Sequence, residues 1–261
     1  MSSAPASAPA VMQDLVSLSN RLGDPALDAV ILGEGNTSAR VDAQTFLVKG
    51  SGCQLQTMQA ADFVHLRFDT ILSLLDRGSV DEATLSAVYE QAKVDPTQKR
   101  RPSVEALFHA VCLSLPGVNF VAHSHATAVN ALNCGKLWPH SLAGRLFPDE
   151  AVVLGPESAY VPYVDPGVVL AREIRDSIER YRAEWGAVPK VVYMQNHGLI
   201  ALGASPTECL NITAMAIKAA RIRATALQAG GGIATLDRGT VLHLLGRPDE
   251  KYRQAVLAVT R

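Results

Sequence analysis

Paired cysteines are missing from this 261-residue chain: Cys53, Cys112, Cys134 and Cys209 stand far apart. That scatter excludes a disulfide frame and points to free thiols in a reducing compartment. Excess charge of either sign is missing too. A formal net charge of −1 gives no basic field to draw nucleic acid or an anionic membrane. No apolar run approaches the length of a membrane span. The first ten residues are small, polar and proline-bearing, without the basic start and apolar core of a secretory signal. They read as a loose tail over 1–10, and the expected location is cytoplasmic. There is no internal repeat, no clean domain boundary, and neither a P-loop nor a dinucleotide fingerprint.

Hydrophobic residues at 48% and charged residues at 19% are ordinary for a globular chain with a sizeable core. We read one domain over 11–235 and a C-terminal extension over 236–261, mobile or facing another subunit. Helical spacing of Val11, Leu15, Leu18 and Leu22, stopped at Gly23, predicts the first helix. Ala29–Leu32 and Thr45–Val48 read as strands. Two glycine-rich turns follow them, Gly33 to Arg40 and Lys49–Gly50–Ser51–Gly52. Bare backbone, hydroxyls and a lysine make these turns a candidate anion cradle; ordinary hairpin turns explain the same residues. Ser103 reads as the N-cap of a helix that ends at Pro116–Gly117, with Glu105 in its first turn. His109, on the same helical face, reads as a core or interface histidine rather than a ligand. Residues 155–163 read as a loop, Asp165 as the cap of a helix over 168–185, and Ser205 to Glu208 as the start of a long helix to Gln228.

The chemistry concentrates at Phe120–Val121–Ala122–His123–Ser124–His125. A short apolar run predicts a buried strand, and side chains two apart on a strand share a face. His123 and His125 therefore project together, as a divalent ion with a taste for nitrogen requires, zinc first. A chance pair bonded to backbone is the plainer reading. His197, at the turn between strands Lys190–Met194 and Leu199–Leu202, completes a possible facial set of three imidazoles. Glu105 is then a candidate fourth ligand or general base.

The segments Gly35–Asn36–Thr37–Ser38, Lys49–Gly50–Ser51–Gly52, Pro102–Ser103–Val104–Glu105, His123–Ser124–His125 and Asn196–His197–Gly198–Leu199 occur in this order. Together they resemble the class II aldolase/adducin family, typified by fuculose-phosphate and rhamnulose-phosphate aldolases. The resemblance implies a three-layer α/β/α sandwich with a mostly antiparallel central sheet, assembled as a homotetramer with sites at subunit interfaces. It implies a metal, Zn2+ or another divalent ion such as Mn2+, held by His123, His125 and His197. Glu105 takes the acid/base position. Gly35, Asn36, Ser51, Gly52 and Ser103 fall where the family binds its ketose phosphate, and Lys49 can add a charge-assisted contact. The implied activity is that of an aldehyde-lyase in carbohydrate metabolism, cleaving a ketose phosphate or related hydroxy-carbonyl compound through a metal-stabilised enediolate. The alternatives on the same fold are an oxo-acid or aromatic-acid decarboxylase, a pentulose-phosphate 4-epimerase, and a non-catalytic adducin-like module. Val104 replaces a hydroxyl residue that the aldolases often carry. No tyrosine lies in Leu137–Phe147, where the proton donor is expected, so either Tyr160, Tyr163 or His140 replaces it or the chemistry needs no such donor.

Overall fold

The computed structural model describes residues 8–250 and Tyr252. Met1–Ser7 of the expected tail, and Lys251 and residues 253–261 of the extension, lie outside the described residues. Seven strands, β1 (Asn36–Arg40), β2 (Thr45–Lys49), β3 (Phe63–Arg67), β4 (Phe120–Ser124), β5 (Ala159–Val161), β6 (Val191–Met194) and β7 (Gly198–Gly203), form one sheet. Its order is β3-β2-β1-β4-β7-β6-β5. Every neighbouring pair is antiparallel except β5 with β6.

Side-chain alternation along these strands separates two cores. Phe46, Val48, Val64, Leu66, Val121, Val192 and Ile200 face one layer of helices. That layer is α2 (Phe68–Leu72), α3 (Glu82–Ala92), α4 (Ala106–Leu113) and α7 (Val168–Trp185). Leu47, Phe63, Ala122, Val191, Tyr193 and Leu199 face the other, built from α1 (Ala8–Leu22), α5 (Thr127–Asn133), α6 (Pro148–Leu154) and α8 (Pro206–Gln228). The architecture is the expected three-layer α/β/α sandwich. No described helix is long and apolar enough to cross a membrane.

Several local expectations are corrected. Ala29–Leu32 is not a strand; Ile31 and Leu32 are exposed, at 64% and 75%. The polar stretch after it, expected as a turn, supplies β1 instead. Its hydroxyls can be buried because they find partners: Thr37 Oγ1 lies 2.6 Å from Ser19 Oγ, and Ser38 Oγ 2.6 Å from His109 Nδ1. The helix after Ser103 begins only at Ala106. Ser103 Oγ accepts from the Glu105 N–H and the Ser103 carbonyl from the Ala106 N–H, which together close a turn ahead of the helix, and Tyr89 Oη donates to the Val104 carbonyl. Glu105 is thus the N-cap of α4. Asp165 does not cap α7, whose cap is Gly167; it accepts from Tyr163 Oη instead. The expected loop at 155–163 contains the short edge strand β5. Within the extension, Arg238–Gly246 forms a helix, α9, capped by Asp237 and burying Val241 and Leu244. α1 starts at Ala8, inside the expected tail.

Candidate metal centre

Antiparallel pairing decides what meets at one end of the sheet. The C-terminal end of β4 lies beside the N-terminal start of β7 on one side and that of β1 on the other. In register, Asn36 faces His123, and Ser124 faces Leu199. His123 is the last but one residue of β4 and fully buried, its ring edge-on to Phe108 of α4. His125 lies one residue past the strand, fixed by its backbone N–H, which donates to the Ala29 carbonyl at 3.0 Å. His197 occupies the turn that opens β7. Asn130 and Asn133, one helical turn apart on α5, hold this turn by donating to the carbonyls of His197 and Gly198, each at 3.0 Å.

The three imidazoles converge. Their ring centroids lie 4.8, 5.0 and 5.1 Å apart, and one ligand atom from each falls within 4.8 Å of the others. Among the described residues this is the group of histidine, cysteine or carboxylate side chains able to hold a metal ion. The donor chemistry fits. His123 Nδ1 lies 2.9 Å from the Leu199 carbonyl oxygen, so Nδ1 carries the proton and Nε2 presents a lone pair. His125 Nε2 lies 3.0 Å from that nitrogen. Burial pulls the His123 ring down to about 3 and lowers His125 as well. Two neutral nitrogens facing one another inside the protein repel unless a proton or a cation lies between them, and a divalent ion suits this set.

Glu105 approaches from the N-terminus of α4. Its Oε1 is 3.2 Å from His197 Nε2 and its Oε2 3.6 Å from His123 Nε2. Burial pushes the carboxyl up, but His123, His197 and the Asn36 amide outweigh it and hold the group well below the usual carboxylate range. Asn36 Nδ2 donates to Glu105 Oε2 at 2.6 Å and to Ser103 Oγ at 3.1 Å. Gly35 is packed on the same strand end: with φ at +64°, a Cβ there would lie 2.6 Å from the His123 carbonyl oxygen. Of the residues read as substrate-binding, Gly35, Asn36 and Ser103 therefore surround the histidines and Glu105. Lys49, buried at the end of β2, donates from Nζ to the Gly33 carbonyl at 3.0 Å, and burial lowers its pKa. Ser51 and Gly52 form the exposed tip of the turn that follows.

Five residues near the site make contacts that the sequence reading missed. Glu34 Oε1 lies 3.8 Å from His125 Nδ1, while its Oε2 accepts from the Ile31 N–H. Arg100 lies beside the Lys49–Gly52 turn, donating to Cys53 Sγ at 2.9 Å and paired with Asp62 at 2.8 Å. His109 is a core histidine, as read, but it also hydrogen-bonds Asn36. For Asn130 and Asn133 the signal was present, two amides on one face of the helix after the histidine pair. Of the proton-donor candidates, Tyr160 packs on Trp138 and Tyr193 with its hydroxyl donating to Glu157; Tyr163 is exposed, its hydroxyl on Asp165 and its N–H donating to Gln195 Oε1; and His140 is exposed.

A family model described as the Class II Aldolase and Adducin N-terminal domain matches residues 13–224. An uncharacterized oxidoreductase, YuxG of Bacillus subtilis (strain 168), is 29% identical over 225 residues, covering 81% of this chain. The chain spans only 29% of that relative's length. Among solved structures, the N-terminal class II aldolase domain of a conserved Thermoplasma acidophilum protein superposes with a TM-score of 0.66 at 25% identity, covering 85% of this chain and 96% of that one. An L-fuculose 1-phosphate aldolase gives 0.68 at 19% identity, covering 95% and 98%. YgbL of Klebsiella pneumoniae, a putative aldolase/epimerase/decarboxylase by its description, gives 0.67 at 21% identity, covering 92% and 99%.

Proposed function

This chain belongs to the class II aldolase and adducin family, and on that premise we propose that it is a metal-dependent aldehyde-lyase acting on a small hydroxy-carbonyl compound such as a ketose phosphate. The observation that carries this is a buried carboxylate within 3.2–3.6 Å of nitrogens on two of three converging imidazoles. His123, His125 and His197 would hold a divalent ion, Zn2+ or Mn2+. When bound, such an ion supplies Lewis-acid polarisation of a carbonyl and a counter-charge for oxygen anions beside it.

The protein's own groups do the rest. In the condensation direction, the Glu105 carboxylate takes a proton from the carbon next to the donor's carbonyl. The electron pair left on that carbon forms the new bond to an aldehyde carbon, and the aldehyde oxygen takes up the proton that Glu105 removed, which restores the carboxylate. In cleavage the steps reverse, and protonated Glu105 returns its proton to carbon. The Asn36 amide holds Oε2, and Oε1 is directed at His197. We read the Lys49–Gly52 turn, with Gly35, as the anchor for the substrate's far end, at a subunit boundary of a cytoplasmic homotetramer. Exposed Ile31, Leu32 and Val104 beside the site support a second copy covering this face, and we assign residues 236–261 to such a boundary as well, outside a domain spanning 11–235.

A decarboxylase on the same centre is the second reading, favoured by one observation. The Asn36 amide hydrogens go to Glu105 and Ser103, one Lys49 donor goes to the Gly33 carbonyl, and Val104 has no hydroxyl, which leaves only the Ser103 hydroxyl and the remaining Lys49 donors to face a phosphate. Elemental analysis of the purified protein should find one divalent ion per chain. A panel of hydroxy-carbonyl compounds and oxo-acids, scored for released aldehyde against carbon dioxide, separates the two readings. Full turnover of the chelated, metal-free protein would refute both.

A further inference from the structure

His109 lies on α4, one turn beyond Glu105, with no exposed surface. Burial pulls its ring down to about 3, so it is neutral and owns one N–H and one bare nitrogen. Its Nδ1 is 2.6 Å from Ser38 Oγ, and its Nε2 contacts Asn36 Oδ1. Two proton arrangements have to be compared. If the Ser38 hydroxyl donates to Nδ1, then Nε2–H donates to Asn36 Oδ1. The Asn36 NH2 then faces Glu105 Oε2 at 2.6 Å and Ser103 Oγ at 3.1 Å. If Nδ1 holds the proton instead, bare Nε2 demands the Asn36 NH2. That flip sets an amide oxygen against a carboxylate oxygen, with no proton between two buried acceptors. The first arrangement is the consistent one. Polarity then runs one way, from hydroxyl to imidazole to amide to carboxylate, through side chains that are all buried.

We propose that His109 is a positioning residue: through Asn36 it fixes the orientation of the Glu105 carboxylate toward the three-histidine centre. This rests on Glu105 as the proton carrier. It also assigns Asn36 to the acid/base group, where the sequence alone suggested substrate. An apolar side chain at 109 would fill the same volume, but it would free the Asn36 amide to flip and release the oxygen it holds.

The test begins with the wild-type protein. Imidazole 15N NMR should show His109 as the Nε2–H tautomer with Nδ1 bare, and the Asn36 side-chain protons should be protected from solvent exchange. In His109→Leu that protection should disappear. On whichever substrate the panel finds, kcat for His109→Leu should fall about 100-fold, the cost of a small misplacement of a reacting group, while KM stays within about 3-fold. His109→Gln keeps an N–H at the ε position and should recover most of the loss. An Nδ1–H tautomer in the wild type, or equal kcat for folded Gln and Leu variants, would overturn the proposal. If no substrate turns over, the lyase reading falls, and the tautomer with the amide exchange alone decides the role of His109.

Discussion

Gly198 opens β7 immediately after His197, and a Cβ added there would lie 2.3 Å from the Ser124 carbonyl oxygen, 3.0 Å from His125 Cδ2 and 3.2 Å from His123 Cε1. The nearest of these is backbone, so no side-chain rotation relieves it. An ordinary carbon–oxygen contact needs about 3.3 Å or more, so Gly198→Ala must open the strand pair locally by about 1 Å. The movement separates His197 from His123 and His125, while metal–ligand distances tolerate only about 0.2 Å. We expect affinity for Zn2+ to fall about 100-fold, the upper end of what displaced supporting contacts cost a metal site. At a free zinc concentration near 100 Kd, binding stabilises the wild type by about 2.7 kcal/mol; the variant at the same concentration keeps about 0.4 kcal/mol. At about 2–4 °C per kcal/mol for a chain of this size, the zinc-induced rise in Tm drops from about 5–10 °C to about 1 °C. Calorimetry with and without zinc measures both numbers, and the metal-free scans isolate the strain, about 1–3 kcal/mol for overpacking. Gly78→Ala is the control, since a Cβ there meets nothing within 4 Å. Equal zinc-induced shifts in Gly198→Ala and wild type would refute the three-histidine centre as drawn.

Glu105→Gln keeps the shape of the side chain and should retain bound metal while turnover drops about 10²–10⁴-fold; unchanged kcat would remove Glu105 from the acid/base role. Acid should destabilise the metal-free protein earlier than its carboxylates alone explain. His109 and His123 are both pulled from 6.5 to about 3 by burial, so between those values the unfolded chain binds protons that the folded chain refuses. Stability is therefore full above about pH 6.5 and falls as pH drops, by about 1.4 kcal/mol per unit for each histidine. Urea midpoints that stay flat from pH 6.5 to 5 would contradict their burial as neutral rings.

The elements that were legible in the sequence are those whose apolar pattern has one explanation. α7 and α8 carry clear stripes or caps, and β4, β6 and β7 are short apolar runs in a chain with two-sided burial. β1 was not legible, because Asn36, Thr37 and Ser38 look like a turn until their partners on α1 and α4 are known. Those partners, Ser19 and His109, lie far off along the chain, and no local rule connects them. The same distance hid the Glu105 network. The histidines could be named from strand ends and order alone, but the Asn36–His109–Ser38 chain depends on the register of β1 against β4. Ile31 and Leu32 misled in the opposite direction: apolar residues predict a strand, yet here they lie exposed beside the site.

The sheet order also bounds the substrate. Lys49 ends β2, Asn36 begins β1, His123 nearly ends β4, and Gly198, directly after His197, begins β7; these four strands are consecutive neighbours, each antiparallel to the next. Antiparallel alternation therefore brings all four to one end of the sheet, in a line. Strands lie about 4.8 Å apart, so the step from β4 to β2, from the histidines to the Lys49–Gly52 turn, is about 10 Å. On the proposed reading one reactant bridges that step, its carbonyl end at the histidines and its tail at the turn. On that reading, a reach of two strands suits a small molecule. Glu105, entering from the helix layer above β4 and β1, then meets the reactant at its carbonyl end, where a proton taken from or returned to carbon changes which bond holds.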